Sequence, residues 1–158
     1  MKTRILFVCL GNICRSPLAE GIFRSKASTL EIAERFEIDS AGLGNWHQGD
    51  PPDPRSIRIA AENGIDISRQ KARQIETGDF DRFTMIFAMD RKTLRSLVSL
   101  APHDSAVDMH LLADFVGIEP RDVPDPYYGD AEDFAVVFAM LDAGLDRLID
   151  ILVPADGR

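Results

Sequence analysis

Cys9 and Arg15 bracket a Cys-x5-Arg loop, Cys9-Leu10-Gly11-Asn12-Ile13-Cys14-Arg15, that continues into Ser16-Pro17. A thiol and a guanidinium at that spacing suit chemistry on a tetrahedral oxyanion. Five intervening residues suffice to curl a loop around an anion with its backbone N–H groups turned inward. Arg15 can then return as a bidentate fork on two oxygens while the Cys9 sulfur faces the central atom.

Such a loop needs a strand behind it and a helix in front. Ile5-Leu6-Phe7-Val8 reads as a short buried strand, Gly11 and Asn12 are turn formers, Ser16 suits an N-cap and Pro17 the first helical position. A helix start offers unpaired N–H groups and the positive end of the macrodipole. That field holds an anion and favours a thiolate at Cys9, since helix N-termini and cations lower cysteine pKa values to roughly 3.5–7.5. A cysteine ending a strand is ordinarily a packing residue; here Arg15, Gly11, Asn12 and Ser16-Pro17 supply the context that a nucleophile requires.

The rest of the chain alternates in the same way. Apolar runs recur at Ile5–Val8, Phe36–Ile38, Met85–Met89 and Met109–Leu112. Between and after them, helices are expected over Pro17–Ser28, Arg55–Asn63 (closed by Gly64), Arg91–Leu100 (closed by Pro102) and Ala131–Leu152. Phe134, Val137, Phe138, Leu141, Leu145, Leu148 and Leu152 form a core-facing stripe on the last. This βαβ rhythm predicts an α/β fold with a mostly parallel sheet covered on both faces. Ligands of such sheets bind where loops converge beyond the carboxyl ends of the strands. Two further loops are long enough to have a function: Ala41–Pro54, with Trp46 and His47, and Gly117–Asp130, with Asp125-Pro126-Tyr127-Tyr128.

The 158 residues suit one domain, 1–158, and no apolar run approaches membrane-spanning length. Lys2 and Arg4 precede an apolar stretch too short for a secretory signal, so the N-terminus reads as mature sequence. Two cysteines five positions apart make neither a disulfide framework nor a zinc site, which suits a reducing cytoplasm. With 18 basic and 26 acidic residues, the formal charge of −8 argues against a nucleic-acid partner. His47, His103 and His110 have no ligand spacing, so no metal and no cofactor are expected.

Val8-Cys9-Leu10-Gly11-Asn12-Ile13-Cys14-Arg15-Ser16-Pro17, Asn45-Trp46-His47 before Pro51-Pro52-Asp53-Pro54, and Asp125-Pro126-Tyr127-Tyr128-Gly129 together resemble the low-molecular-weight protein tyrosine phosphatases over essentially the whole chain. The resemblance implies a three-layer α/β/α fold on a four-stranded parallel sheet with the phosphate-binding loop after the first strand. It also implies hydrolysis of phosphotyrosine through a phosphocysteine. Cys9 would attack phosphorus while Arg15 and the loop N–H groups of Leu10 to Cys14 hold the oxygens. The leaving phenolate needs a proton, and the family match assigns the donor to Asp125, although an Asp before Pro is usually a turn former. Ser16 would donate to the Cys9 sulfur, and the family pattern has Asn12 brace the loop with help from Ser40. Trp46 and Tyr127, with Tyr128 beside them, would wall a slot for a flat phenyl ring.

Cys14 is either a small packing residue or a partner that traps oxidised Cys9 as a disulfide. The chain departs from the family at Gln70, in the segment where members often carry a histidine, which puts that residue's hydrogen bonding toward the loop in doubt. The expected partners are tyrosine-phosphorylated proteins, with no membrane insertion and the chain itself a monomer or weakly self-associating. Arsenate reduction by a thiol relay needs cysteines that are missing after Cys14. A protein-arginine phosphatase would carry Thr at Ile13, and a non-catalytic phosphate-binding module would need neither Cys9 nor Asp125.

Overall fold

The computed structural model describes residues 1–158. Its centre is a four-stranded sheet of β1 Thr3–Cys9, β2 Phe36–Gly42, β3 Met85–Ala88 and β4 Asp108–Leu111, all parallel, in the order β2-β1-β3-β4. β1 is central because every residue from Ile5 to Val8 is fully buried, and a strand without a polar face must be covered on both sides. Ile5, Phe7 and Cys9 face α1 (Arg15–Thr29) and α6 (Ala131–Leu152) in the larger core cluster. Leu6 and Val8 face the opposite way, against Phe80 and Phe83 at α3 (Asp79–Arg82) and Leu97 of α4 (Arg91–Leu100). The result is the three-layer α/β/α arrangement expected from the alternation of strands and helices.

The two remaining helices, α2 (Pro54–Glu62) and α5 (Leu112–Val116), close the larger cluster. On α6 the stripe from Phe134 through Leu148 is buried, and Leu152 packs partly buried at its end. That helix is started by a capping box in which Asp130 accepts from the Glu132 and Asp133 N–H groups while Asp133 accepts from Asp130 N–H at 2.9 Å. No helix is long and apolar enough to cross a membrane.

Three local expectations are corrected. α1 begins at Arg15, so Ser16 is inside the first turn rather than its N-cap, and Pro17 is third rather than first. Proline is tolerated there because first-turn N–H groups have no intrahelical acceptor anyway. The Ser16 hydroxyl is bonded to Cys9 and Asn12 instead of capping. β2 extends to Gly42, past the apolar run that ended at Ile38, because Asp39 and Ser40 alternate between ion pairing and a buried hydrogen-bond network. α3 and α5, of four and five residues, are too short to display a helical period.

The chain goes from β1 through α1 to β2 on one side, then crosses to β3 on the other. The sheet therefore has its topological switch beside the carboxyl end of β1, where a crevice for ligands opens. Cys9 pairs with Gly42 and Val8 with Ala88 at this edge. A Cβ on Gly42 would lie 2.9 Å from the Gly11 carbonyl carbon and 3.0 Å from Asn12 N, so only glycine lets β2 pass the loop.

Candidate active site

Cys9 ends β1 with 3% of its surface exposed, and its Sγ lies 3.0 Å from the Ser16 hydroxyl. The surrounding donors bear on the direction of that contact. Asn12 Nδ2 donates to Ser16 Oγ at 2.8 Å and to Ser40 Oγ at 3.0 Å, which spends both amide protons. Ser16 is therefore an acceptor from Asn12, and its own proton has two acceptors in reach, the sulfur at 3.0 Å and the Ala41 carbonyl at 3.5 Å. Ser40 in turn donates to Glu20 Oε1 at 2.7 Å, and Arg24 Nε donates to Glu20 Oε2 at 3.1 Å. Burial pushes the Glu20 carboxyl up, against the hydrogen bonds from Ser40 and Arg24 that favour its charge. Asn12 Oδ1 accepts from Arg73 N–H at 2.9 Å, which holds Asn12 in its left-handed conformation at φ 59°. Asparagine is one of the few side-chain-bearing residues that adopt it cheaply.

Arg15 is equally buried, at 3% exposure. Its Nη1 donates to Asp90 Oδ2 at 2.7 Å and to Val123 O at 2.9 Å, and its Nη2 lies 3.6 Å from Asp125 Oδ2. Asp90 follows β3 and caps α4 through Thr93 N–H at 2.7 Å. Burial works to raise its carboxyl, yet the hydrogen bonds from Arg15 and Thr93 outweigh it and hold it below the usual range. The sequence reading missed Asp90. Its signal was there: an acidic N-cap directly beyond a buried strand, at the sheet edge where ligands bind.

The two long loops are laced to this centre by backbone bonds. Leu43 N–H reaches Cys9 O at 3.0 Å, Gly44 N–H reaches Leu10 O at 3.1 Å, and Asp53 N–H reaches Ile13 O at 2.8 Å. Val123 N–H donates to Met89 O at 2.9 Å, which hangs the Asp125 loop from the end of β3. Trp46 folds back over Gly44, where any Cβ would collide with its ring at 2.0 Å. Arg55 clamps the far side: it holds Asp53 with both ends of its guanidinium and donates to Tyr127 O at 2.8 Å and Gly129 O at 3.0 Å, stacked 4.4 Å over Phe134. Arg55 and Arg73 each have a nearby carboxylate, Asp53 and Asp79, but the bonds that tie them to the site, to Tyr127 O and Gly129 O and to Asn12 Oδ1, run to distant segments.

Cys9, Leu10, Gly11, Ile13, Cys14, Arg15, Trp46, Asp125, Tyr127 and Tyr128 line one cleft of about 320 Å³, and His47 joins them. Trp46 is 66% and Tyr127 37% exposed, so two aromatic surfaces stand open above a buried thiol. Tyr128 is almost wholly exposed at the rim, edge-on to Tyr127 at 4.9 Å between ring centres. Ser40 lies outside the cleft and reaches it through Asn12. His47, assigned nothing from sequence, sits beside Gly11 and 3.5 Å from Asp50. Cys14 packs with Ile13, Ala72 and Phe134. Burial, then Asp53 and Cys9, push its thiol up to about 12, so it is protonated at neutral pH and both cysteines are free thiols. Gln70 donates to Pro17 O at 3.1 Å and makes no bond to the Asn12 network; Arg24 is the group that steadies Glu20.

The family model for low molecular weight phosphotyrosine protein phosphatases matches residues 4–155. A low molecular weight phosphotyrosine protein phosphatase of Schizosaccharomyces pombe is 41% identical over 141 residues, covering 87% of this chain and 89% of that one. Among solved structures, a protein tyrosine phosphatase from Entamoeba histolytica superposes with a TM-score of 0.90 at 34% identity, covering 96% of this chain and 97% of that one. An arginine phosphatase from Drosophila also superposes with a TM-score of 0.90, at 30% identity, covering 99% of this chain and 100% of that one.

Proposed function

From a chain that belongs to the low molecular weight phosphotyrosine protein phosphatase family, and is thus a protein-tyrosine phosphatase, we propose the following assignment of roles. Cys9 is the nucleophile, Arg15 and the loop N–H groups are the phosphate clamp, and Asp125 is the general acid and base. The observation that carries this is the meeting of thiol, guanidinium and carboxylate in one cleft, with Arg15 3.6 Å from Asp125.

The Cys9 sulfur attacks phosphorus in line with the aryl oxygen, and the P–O bond breaks as the P–S bond forms. Arg15 and the N–H groups of the loop neutralise charge spread over the three equatorial oxygens. Asp125 gives its proton to the departing phenolate, then as carboxylate takes one from the water that attacks the phosphocysteine. The P–S bond breaks, inorganic phosphate leaves, and the Ser16 hydroxyl stabilises the released thiolate. Asp90 holds the Arg15 guanidinium through Nη1. A phosphate must descend to a buried sulfur between Trp46 and Tyr127, which favours an aryl ester long enough to span that depth; each ring contact contributes about 0.5–1.5 kcal/mol. Tyrosine-phosphorylated proteins are thus the substrates, and two free thiols suit a reducing cytoplasm.

Rapid quenching of the wild type with a labelled aryl phosphate should trap a phosphocysteine on Cys9. Asp125→Ala should lower kcat on a phosphotyrosyl peptide by about 10²–10³, and less on p-nitrophenyl phosphate, whose phenolate leaves without a proton. Equal losses on both substrates would remove Asp125 from the acid role, and absence of any phosphoenzyme would remove Cys9 from the nucleophile role.

Arg55 holds the Asp125 to Gly129 segment without reaching the cleft floor. Arg55→Ala should raise KM and lower kcat/KM by about tenfold, in line with a catalytic group displaced by a fraction of an ångström. Steady-state kinetics together with a thermal melt check this; unchanged kinetics would show that the loop holds its place without the clamp.

A further inference from the structure

In a chain of net charge −8, the start of α4 carries Arg91, Lys92 and Arg95 and no acidic residue in its first turn. Cations at a helix N-terminus work against the macrodipole, so this placement is locally unfavourable. Asp122 absorbs Arg91, with Nη2 to Oδ2 at 3.0 Å and Nε to Oδ1 at 3.2 Å. Lys92 and Arg95 are exposed, make no ion pair, and lie three residues apart on one face.

That face lines a second cavity of about 340 Å³, which shares Arg15 and Asp125 with the catalytic cleft. Its other carboxylates are already engaged, Asp90 by Arg15 and Asp122 by Arg91. Lys92 and Arg95 also border a shallower groove that runs on to Leu43 and Leu100. A polypeptide whose phosphotyrosine occupies the cleft and whose chain leaves over Asp125 therefore meets two uncompensated cations.

Resting on the phosphatase reading above, we infer that Lys92 and Arg95 form a docking subsite for an anionic group of the substrate polypeptide, a carboxylate or a second phosphoryl group close to the phosphotyrosine. The acidic body repels such substrates at long range, but that repulsion is screened beyond about 8 Å at physiological salt, whereas contact pairs in a cavity are screened much less. The subsite selects acidic sequences from among phosphotyrosyl peptides and leaves the chemistry at Cys9 unchanged.

The test compares kcat/KM for phosphotyrosyl peptides of matched length flanked by Glu and Asp, by a second phosphotyrosine, by neutral residues or by Lys. p-Nitrophenyl phosphate serves as the reference substrate. Wild type should prefer the two anionic peptides over the neutral one by about five- to tenfold at low salt, the size that two partly solvated ion pairs give. The preference should shrink toward unity near 0.5 M salt. Lys92→Ala/Arg95→Ala should bring the ratio to about one, and Lys92→Glu/Arg95→Glu should turn the preference to the Lys-flanked peptide. If only the doubly phosphorylated peptide is preferred, the subsite takes phosphate rather than carboxylate. Equal rates on all peptides with normal turnover of p-nitrophenyl phosphate would overturn the subsite alone. A preference that survives the Glu variant would overturn it too. No turnover of any substrate would overturn the phosphatase reading and the subsite with it.

Discussion

Cys9→Ser should lose phosphatase turnover by a factor on the order of 10⁴ or more, the size that removal of an activated nucleophile has elsewhere. The substitution is nearly isosteric, so the buried strand end and the Ser16 contact remain. What disappears is the thiol proposed as the nucleophile. The hydroxyl has no general base within hydrogen-bond reach: the side-chain partner at this position is Ser16, itself bound to Asn12. Phosphate should still bind, because the proposed clamp of loop N–H groups and Arg15 is left in place. Turnover of p-nitrophenyl phosphate, with phosphate affinity measured by titration calorimetry, separates the two functions. A serine variant within tenfold of wild type would rule out covalent catalysis by this residue.

Arg15→Lys should lower kcat/KM by about 10³, in the range reported for loss of a preorganised donor to a developing oxyanion. Arginine donates at once to Asp90, to Val123 O and toward the anion, because its fork is planar and rigid. An ammonium is a point charge and serves one of these partners at a time, so bidentate capture of two phosphate oxygens is lost while overall charge is kept. Arg15→Ala should lose at least as much activity and should also destabilise the fold by about 1–3 kcal/mol, since it strands the half-buried Asp90 carboxylate and the Val123 carbonyl. Kinetics together with thermal unfolding distinguish the variants. Near-wild-type kcat/KM for the lysine variant would show that charge alone holds the phosphate.

The Cys-x5-Arg loop, the apolar runs of β1 and β3 and the stripe of α6 were legible because each depends on residues within a few positions of one another. Cys9, Arg15, Asp125, Trp46 and Tyr127 do line one cleft, and Ser40 supports it through Asn12 as the family pattern implied. Errors arose where a short-range rule met a long-range partner. Ser16 has the chemistry of an N-cap, but its hydroxyl is claimed by a sulfur and an amide that the strand end brings beside it. The apolar run at Phe36–Ile38 does not show that β2 continues to Gly42, because the charge of Asp39 is compensated by the distant Arg73.

Spacing and periodicity along the chain therefore decide the Cys-x5-Arg loop, the alternation of strands and helices and the place of the Cys9 thiol at a strand end. Those properties follow from backbone geometry over one or two turns. The order β2-β1-β3-β4 decides the rest: it sets the crevice beside β1, brings Asp90 and Val123 against Arg15, puts Asp125 and His47 in the cleft that Cys9 lines, and sets Lys92 and Arg95 along the adjoining cavity. Ion pairs and hydrogen bonds between distant segments depend on which strands pack side by side, and that is settled by burying two apolar faces of one sheet rather than by any local pattern.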